Sequence, residues 1–152
     1  MKEFNSIFVK GTVKTPEIEF NHLTGELVLL CRSIPENAAK VYDPLLDWIN
    51  SYIKSPHNIT NLHLKLEYFN TSSLLWIVKI IKLLSKIEKE KSFLYINLYI
   101  ENDDFDIKDA DEFKDVICSV FDNIGELKVI IGLKINGTDS HGKVVDESTI
   151  LI

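Results

Sequence analysis

Thr71, Ser72 and Ser73 place three hydroxyls in a row directly behind Asn70, where a period-two apolar pattern gives way to a helical one. A hydroxyl at a strand-to-helix turn sits among unpaired backbone N–H groups at the positive end of a helix dipole, conditions that favour a phosphate dianion. The same position equally suits a plain N-cap hydroxyl that only satisfies the helix start. Arg32 is the second group of interest. It is the one arginine among 17 basic residues, and so the one side chain able to hold a carboxylate or phosphate in a rigid bidentate fork. A third is the acidic stretch from Glu101 to Asp109, which offers carboxylate oxygens to a hard cation. Counted from Asp104 as first ligand, however, Lys108 falls where the fifth-position oxygen belongs and Asp109 replaces the required glycine. No Glu closes the loop at its twelfth position. The stretch therefore reads as a solvated acidic loop, with a protein-binding surface as its functional alternative.

Other chemistry is excluded more directly. There is no GxxxxGK phosphate loop, no GxGxxG after a strand, no GxSxG elbow and no HExxH. His22, His57, His63 and His141 are isolated in sequence, and Cys31 and Cys118 form no CxxC, so structural histidines and buried reduced thiols are expected. No metal site, cofactor or catalytic residue is expected. A net charge of −6 argues against a sequence-independent nucleic-acid binder, which needs clustered Lys and Arg. The longest apolar run, Leu74 to Val78, is far too short to span a bilayer, and the N-terminus lacks a long apolar signal region. A cytoplasmic chain without a membrane partner is the expectation.

The elements that must position these groups follow from periodicity. Ile7–Val9, Glu17–Phe20 and Glu26 to about Arg32 read as short antiparallel strands, with a turn around Gly25. Ser33-Ile34-Pro35-Glu36 has capping-box spacing and predicts a helix start, and an apolar stripe continues through Val41, Leu45, Trp48 and Tyr52. Asp43-Pro44 could equally be a second start that breaks or kinks this helix. From Leu62 the pattern alternates, with Leu62, Leu64, Leu66 and Tyr68 on one face and His63, Lys65, Glu67 and Phe69 on the other. Behind it, Leu74, Ile77, Ile81, Leu84 and Ile87 form one face of an amphipathic helix, and Phe93 to Ile100 reads as a buried strand. The helix then serves as the crossover of a right-handed βαβ unit, with the two strands parallel neighbours. A helix from Ala110 to about Phe121 and a last strand from Leu127 to Leu133 follow, with Asn136-Gly137 and His141-Gly142 as turn signals. The fold class is thus α/β: a mixed sheet with N-terminal antiparallel strands and a βαβ crossover. One domain over 1–135 is expected, with 136–152 an extension that could add a hairpin strand.

Three segments together resemble a known family. They are Cys31-Arg32-Ser33-Ile34-Pro35-Glu36-Asn37 with Tyr42-Asp43-Pro44-Leu45-Leu46-Asp47-Trp48, then Leu66-Glu67-Tyr68-Phe69-Asn70-Thr71-Ser72-Ser73, then Tyr99 through Phe113. In this order and spacing they resemble the SiaC family of bacterial regulatory phosphoproteins, over about residues 6 to 133. The resemblance implies a fold similar to the STAS domains of anti-sigma-factor antagonists, and a non-enzymatic switch. It makes Thr71 the phosphoacceptor, with Ser72 and Ser73 as secondary candidates, and puts Arg32, Glu36, Asn70, Asp103 and Asp104 at partner-binding positions. It implies a serine/threonine kinase, a PP2C-type phosphatase and an effector such as a diguanylate cyclase as partners. An anti-sigma-factor antagonist is the alternative within this class, and a small ligand-binding or enzyme domain the alternative outside it. Two departures stand out: Cys31 occupies a position where the family usually has Gly, and Phe105 and Ile107 interrupt the acidic run. Calorimetry with Ca²⁺ or nucleotide is expected to show no tight binding, and micromolar Ca²⁺ affinity that disappears in Asp104→Asn would overturn this.

Overall fold

Alternating apolar side chains make a strand bury one face, and strands of that kind must be stacked so that the buried faces share one core. The computed structural model describes residues 5–101, 107–122 and 126–152. The strands are β1 (Ile7–Val9), β2 (Glu17–Asn21), β3 (Glu26–Ser33), β4 (Ile59–Phe69), β5 (Phe93–Glu101), β6 (Ile130–Thr138) and β7 (Val144–Leu151). The helices are α1 (Ala38–Tyr52), α2 (Thr71–Leu84) and α3 (Ile107–Asp122). All strands lie in one sheet in sequence order. β1, β2 and β3 pair antiparallel, β3 through β6 parallel, and β7 returns antiparallel on β6. The expected βαβ unit is present, with Leu62 opposite Ile96 and α2 as its crossover.

Three consecutive crossovers step across the sheet in one direction, so right-handed connections lay all three helices on the same face. α2 accordingly touches both α1 and α3. Between the layers lies a core of Tyr42, Leu45, Ile49, Ile77, Ile81 and Ile117 from the helices against Leu27, Leu29, Leu62, Leu64, Ile96 and Leu133 from the strands. Gly25, in the turn before β3, has φ +75°, and a Cβ there would lie 2.6 Å from the Ile59 carbonyl oxygen, so that turn requires glycine.

Several sequence expectations give way to tertiary context. The capping box at Ser33–Glu36 does not form: Ser33 stays in β3 opposite Phe69, and α1 is capped by Asn37, whose Oδ1 accepts from the Lys40 N–H at 3.3 Å. The Ile34 N–H bonds the Lys14 carbonyl at 2.8 Å, which holds the chain extended past the expected start. Pro44 lies inside α1 without ending it. Its ring forfeits one backbone bond, while buried Tyr42, Leu45 and Trp48 on either side keep the helix on the sheet. Asn136-Gly137 is strand rather than turn, because β6 continues in register with β5 and the buried Asn136 amide donates to the Leu98 carbonyl. The reversal occurs later, where the Asp139 carboxylate accepts the backbone N–H groups of His141 and Lys143 and Gly142 adopts φ +80°. α3 begins at Ile107, three residues before its expected start.

A bulge sets the edge where β3 and β4 end. Cys31 faces Leu66 and Arg32 faces Tyr68, so Glu67 has no opposite number and the side-chain alternation of β4 slips by one. Tyr68, expected on the same face as Leu62, Leu64 and Leu66, is therefore 60% exposed, while Phe69 turns in against the core beside Ser33. Cys31 beside the bulge has φ +75°, the left-handed region that an L side chain enters at a cost. Cys31→Gly is expected to raise stability by about 0.5–1 kcal/mol, the relief of left-handed strain less the extra entropy of unfolded glycine, read as a higher urea midpoint at unchanged slope.

Candidate functional site

The ends of β3 and β4 deliver their next residues to the same corner of the molecule. Where β4 ends, Asn70 takes extended backbone angles (φ −87°, ψ 173°) and its Oδ1 accepts from the Ser73 N–H at 2.9 Å, so the N-cap of α2 is Asn70. The Asn70 carbonyl accepts the first helical bond, from the Leu74 N–H at 3.0 Å, and the Asn70 N–H reaches across to the Ser33 carbonyl at 3.1 Å. The helix start is thus tied to the preceding strand's neighbour as well as to itself.

The three candidate hydroxyls part company here. Thr71 and Ser72 are exposed, whereas Ser73 is fully buried. Ser73 donates to the Ser33 carbonyl at 2.8 Å and receives the Ser33 hydroxyl at 2.7 Å. The Tyr42 hydroxyl of α1 lies 2.5 Å from Ser33 Oγ, and with the Ser33 proton committed to Ser73, Tyr42 donates. Each hydroxyl in the chain Tyr42, Ser33, Ser73, Ser33 carbonyl therefore gives one proton to the next, and a buried polar cluster is satisfied throughout. Burial pushes the Tyr42 phenol above its ordinary pKa, opposed by its contacts with Ser33 and Ser73. Its ring stacks on Trp76 of α2 at 6.1 Å between centroids.

Among the described residues no histidine or carboxylate hydrogen-bonds the Thr71 hydroxyl. It sits in the first turn of a 14-residue helix, where backbone N–H groups lack helical acceptors and the dipole favours an anion. Exposed apolar side chains, Tyr68 before it and Leu75 after it, flank the turn. A groove of about 710 Å³ opens alongside, beyond the carboxyl ends of β4 to β6, floored by Leu66, Phe69, Leu74, Leu98, Phe113 and Val116.

Of the remaining sequence candidates, Arg32 lies at this corner with its Nε 3.5 Å from Glu67 Oε2, an exposed pair. Glu36 pairs with Lys14 at 2.9 Å, and the lysine's hydrogen bond and charge hold its carboxyl below the usual range. Asp103 and Asp104 lie outside the described residues. Sequence reasoning missed the roles of Tyr42 and Ser33, and it missed a cluster on the helix-free face of the sheet. There His63 lies 2.5 Å from Glu26 Oε2 and 2.7 Å from the Tyr99 hydroxyl. Burial first, and then Glu26 and Glu147, raise the Tyr99 pKa. The signal for that cluster is the pairing of β3, β4 and β5, which puts three sequence-distant side chains side by side. Among the described residues no cluster of metal-binding type occurs, and no helix is long and apolar enough to cross a membrane.

Comparison with known proteins gives a family and agrees with the fold. A family model described as SiaC family regulatory phosphoprotein matches residues 9–125. The uncharacterized protein PA14_02130 of Pseudomonas aeruginosa (strain UCBPP-PA14) is 29% identical over 82 residues, 54% of this chain and 65% of its own length. The match thus spans less than two thirds of that relative. Among solved structures, SiaC of Pseudomonas aeruginosa shares the fold at a TM-score of 0.65 and 24% identity, over 74% of this chain and 91% of its own. A structure of the diguanylate cyclase SiaD with its activator SiaC, from the same organism, matches at a TM-score of 0.64 and 24% identity, over 72% of this chain and 90% of the matched one.

The cap geometry separates two substitutions that sequence alone treats alike. Asn70→Ala is expected to cost about 1 kcal/mol as a lost cap. Thr71→Ala, which removes no cap, is expected to stay within about 0.5 kcal/mol of the parent. Urea unfolding of both variants checks the difference, and equal losses would show that Thr71 shares the capping.

Proposed function

The chain belongs to the SiaC family of regulatory phosphoproteins, and on that footing we propose that it is a non-enzymatic switch whose Thr71 carries the regulatory phosphate. A serine/threonine kinase adds the phosphate and a PP2C-type phosphatase removes it. The unphosphorylated form docks an effector, of which a diguanylate cyclase is the leading candidate. The observation that carries this reading is the exposed Thr71 hydroxyl at the start of α2, backed by a buried hydroxyl network. A hydroxyl so exposed can enter another protein's active site, and the helix start favours the phosphate it would carry. The effector side rests on family membership and on the SiaC relative, which is described as the activator of SiaD.

The energetics of switching are local. A phosphate at Thr71 brings roughly −1.5 to −2 charges, which α2's first turn stabilises, to a domain that already carries a net −6. Tyr68 and Leu75 on either side offer an apolar contact that a partner buries only if the space between them can be desolvated. A dianion there must either keep its water or find cationic partners. An effector face that is apolar or acidic supplies neither, so its complex weakens.

Incubation with the cognate kinase and ATP, followed by peptide mapping, should place phosphate on Thr71 and none on Thr71→Ala. The phosphorylated protein should bind the effector at least about tenfold more weakly than the parent, with Thr71→Asp intermediate because it has one charge and fewer acceptor oxygens. Phosphate confined to residues other than Thr71 would refute the assignment.

A further inference from the structure

Three consecutive hydroxyls pose a selection problem that the exposed surface alone does not solve, because a kinase that accepts threonine can accept a serine two residues on. Ser73 differs from Thr71 in what holds it. Its side chain is fully buried, its hydroxyl is both donor to the Ser33 carbonyl and acceptor from the Ser33 hydroxyl, and its N–H is taken by the Asn70 cap. Ser33 is fixed in turn by its place opposite Phe69 in the parallel ladder and by the Tyr42 hydroxyl. We infer that the Tyr42–Ser33–Ser73 hydroxyl chain is the device that withholds Ser73 from the kinase, locking it into the core and holding the first turn of α2 so that only the exposed hydroxyls of Thr71 and Ser72 are offered. This rests on the phosphoacceptor reading above, and it makes Ser33 and Tyr42 positioning residues of that site.

The physical argument is one of cost. For Ser73 to enter a kinase active site, the first turn must open. Opening breaks two hydroxyl bonds at Ser73 and the Asn70 cap, and it leaves the Ser33 hydroxyl without an acceptor beside the buried Tyr42. Thr71 and Ser72 point outward and pay none of this. The chain also spans three elements, β3, α1 and α2, and so ties the acceptor turn to both of its neighbours.

The test uses Tyr42→Phe, which keeps the Ser33-to-Ser73 bond, and the double variant Tyr42→Phe/Ser33→Ala, which removes that bond together with the donor that would otherwise be stranded. Hydrogen exchange at the Ser73 and Leu74 amides should quicken about tenfold in the double variant, while amides of β4 stay unchanged. With the cognate kinase, phosphate should remain off Ser73 in the parent and in Tyr42→Phe and should appear on Ser73 in the double variant. A merely structural loss would lower modification at all sites alike and would not redistribute it. Phosphate that stays off Ser73 in the double variant overturns the inference, as does unchanged amide exchange. A parent protein that takes no phosphate at all refutes the phosphoacceptor reading instead, and amide exchange alone then decides whether the hydroxyl chain holds the turn.

Discussion

The parallel pairing of β3 with β4 is the constraint on which the site depends. Parallel neighbours end at the same edge of a sheet, so the segment that follows Arg32 and the segment that follows Tyr68 must meet there. The Asn70 N–H to Ser33 carbonyl bond and the Ser33–Ser73 hydroxyl contacts are the direct result. The extra residue at Glu67 then decides which side chains face which way, turning Tyr68 out to solvent and Phe69 in toward the core.

The same connectivity limits what the molecule can do. Ligand crevices of open parallel sheets form where strand order reverses and neighbouring crossovers leave on opposite faces. Here the order runs from β1 to β7 without reversal, so the helices share one face and their N-termini stand in a row along one edge. That edge presents backbone N–H groups and a partly apolar groove, a surface suited to another protein. The opposite face keeps its own polar order. Glu26, His63 and Tyr99 are linked across three strands, and Lys65 and Lys134 lie over Tyr99 and Tyr95.

Much of this was legible in the residues. Period-two and period-3.6 patterns mark β4, α2 and β5 because one face of each is buried, and the helix between two strands fixes them as parallel. The run Asn70-Thr71-Ser72-Ser73 marks the junction because short polar side chains are what a helix start requires.

Only the tertiary structure decided which of those polar residues caps, which is offered and which is buried. Local sequence gives Ser33 a capping-box spacing, yet pairing with Phe69 of β4 holds it in β3, and its hydroxyl donates to Ser73, forty residues away. Asn136-Gly137 carries a turn preference, yet the ladder to β5 and the buried amide contact to Leu98 keep it extended. Tyr42 lies on the apolar stripe of α1 like any core aromatic, and its hydroxyl acquires a role only because β3 ends beneath it. The physical reason is common to all three. Sequence spacing reports which face of an element is buried, whereas the partner of a buried polar atom is set by the element packed against it.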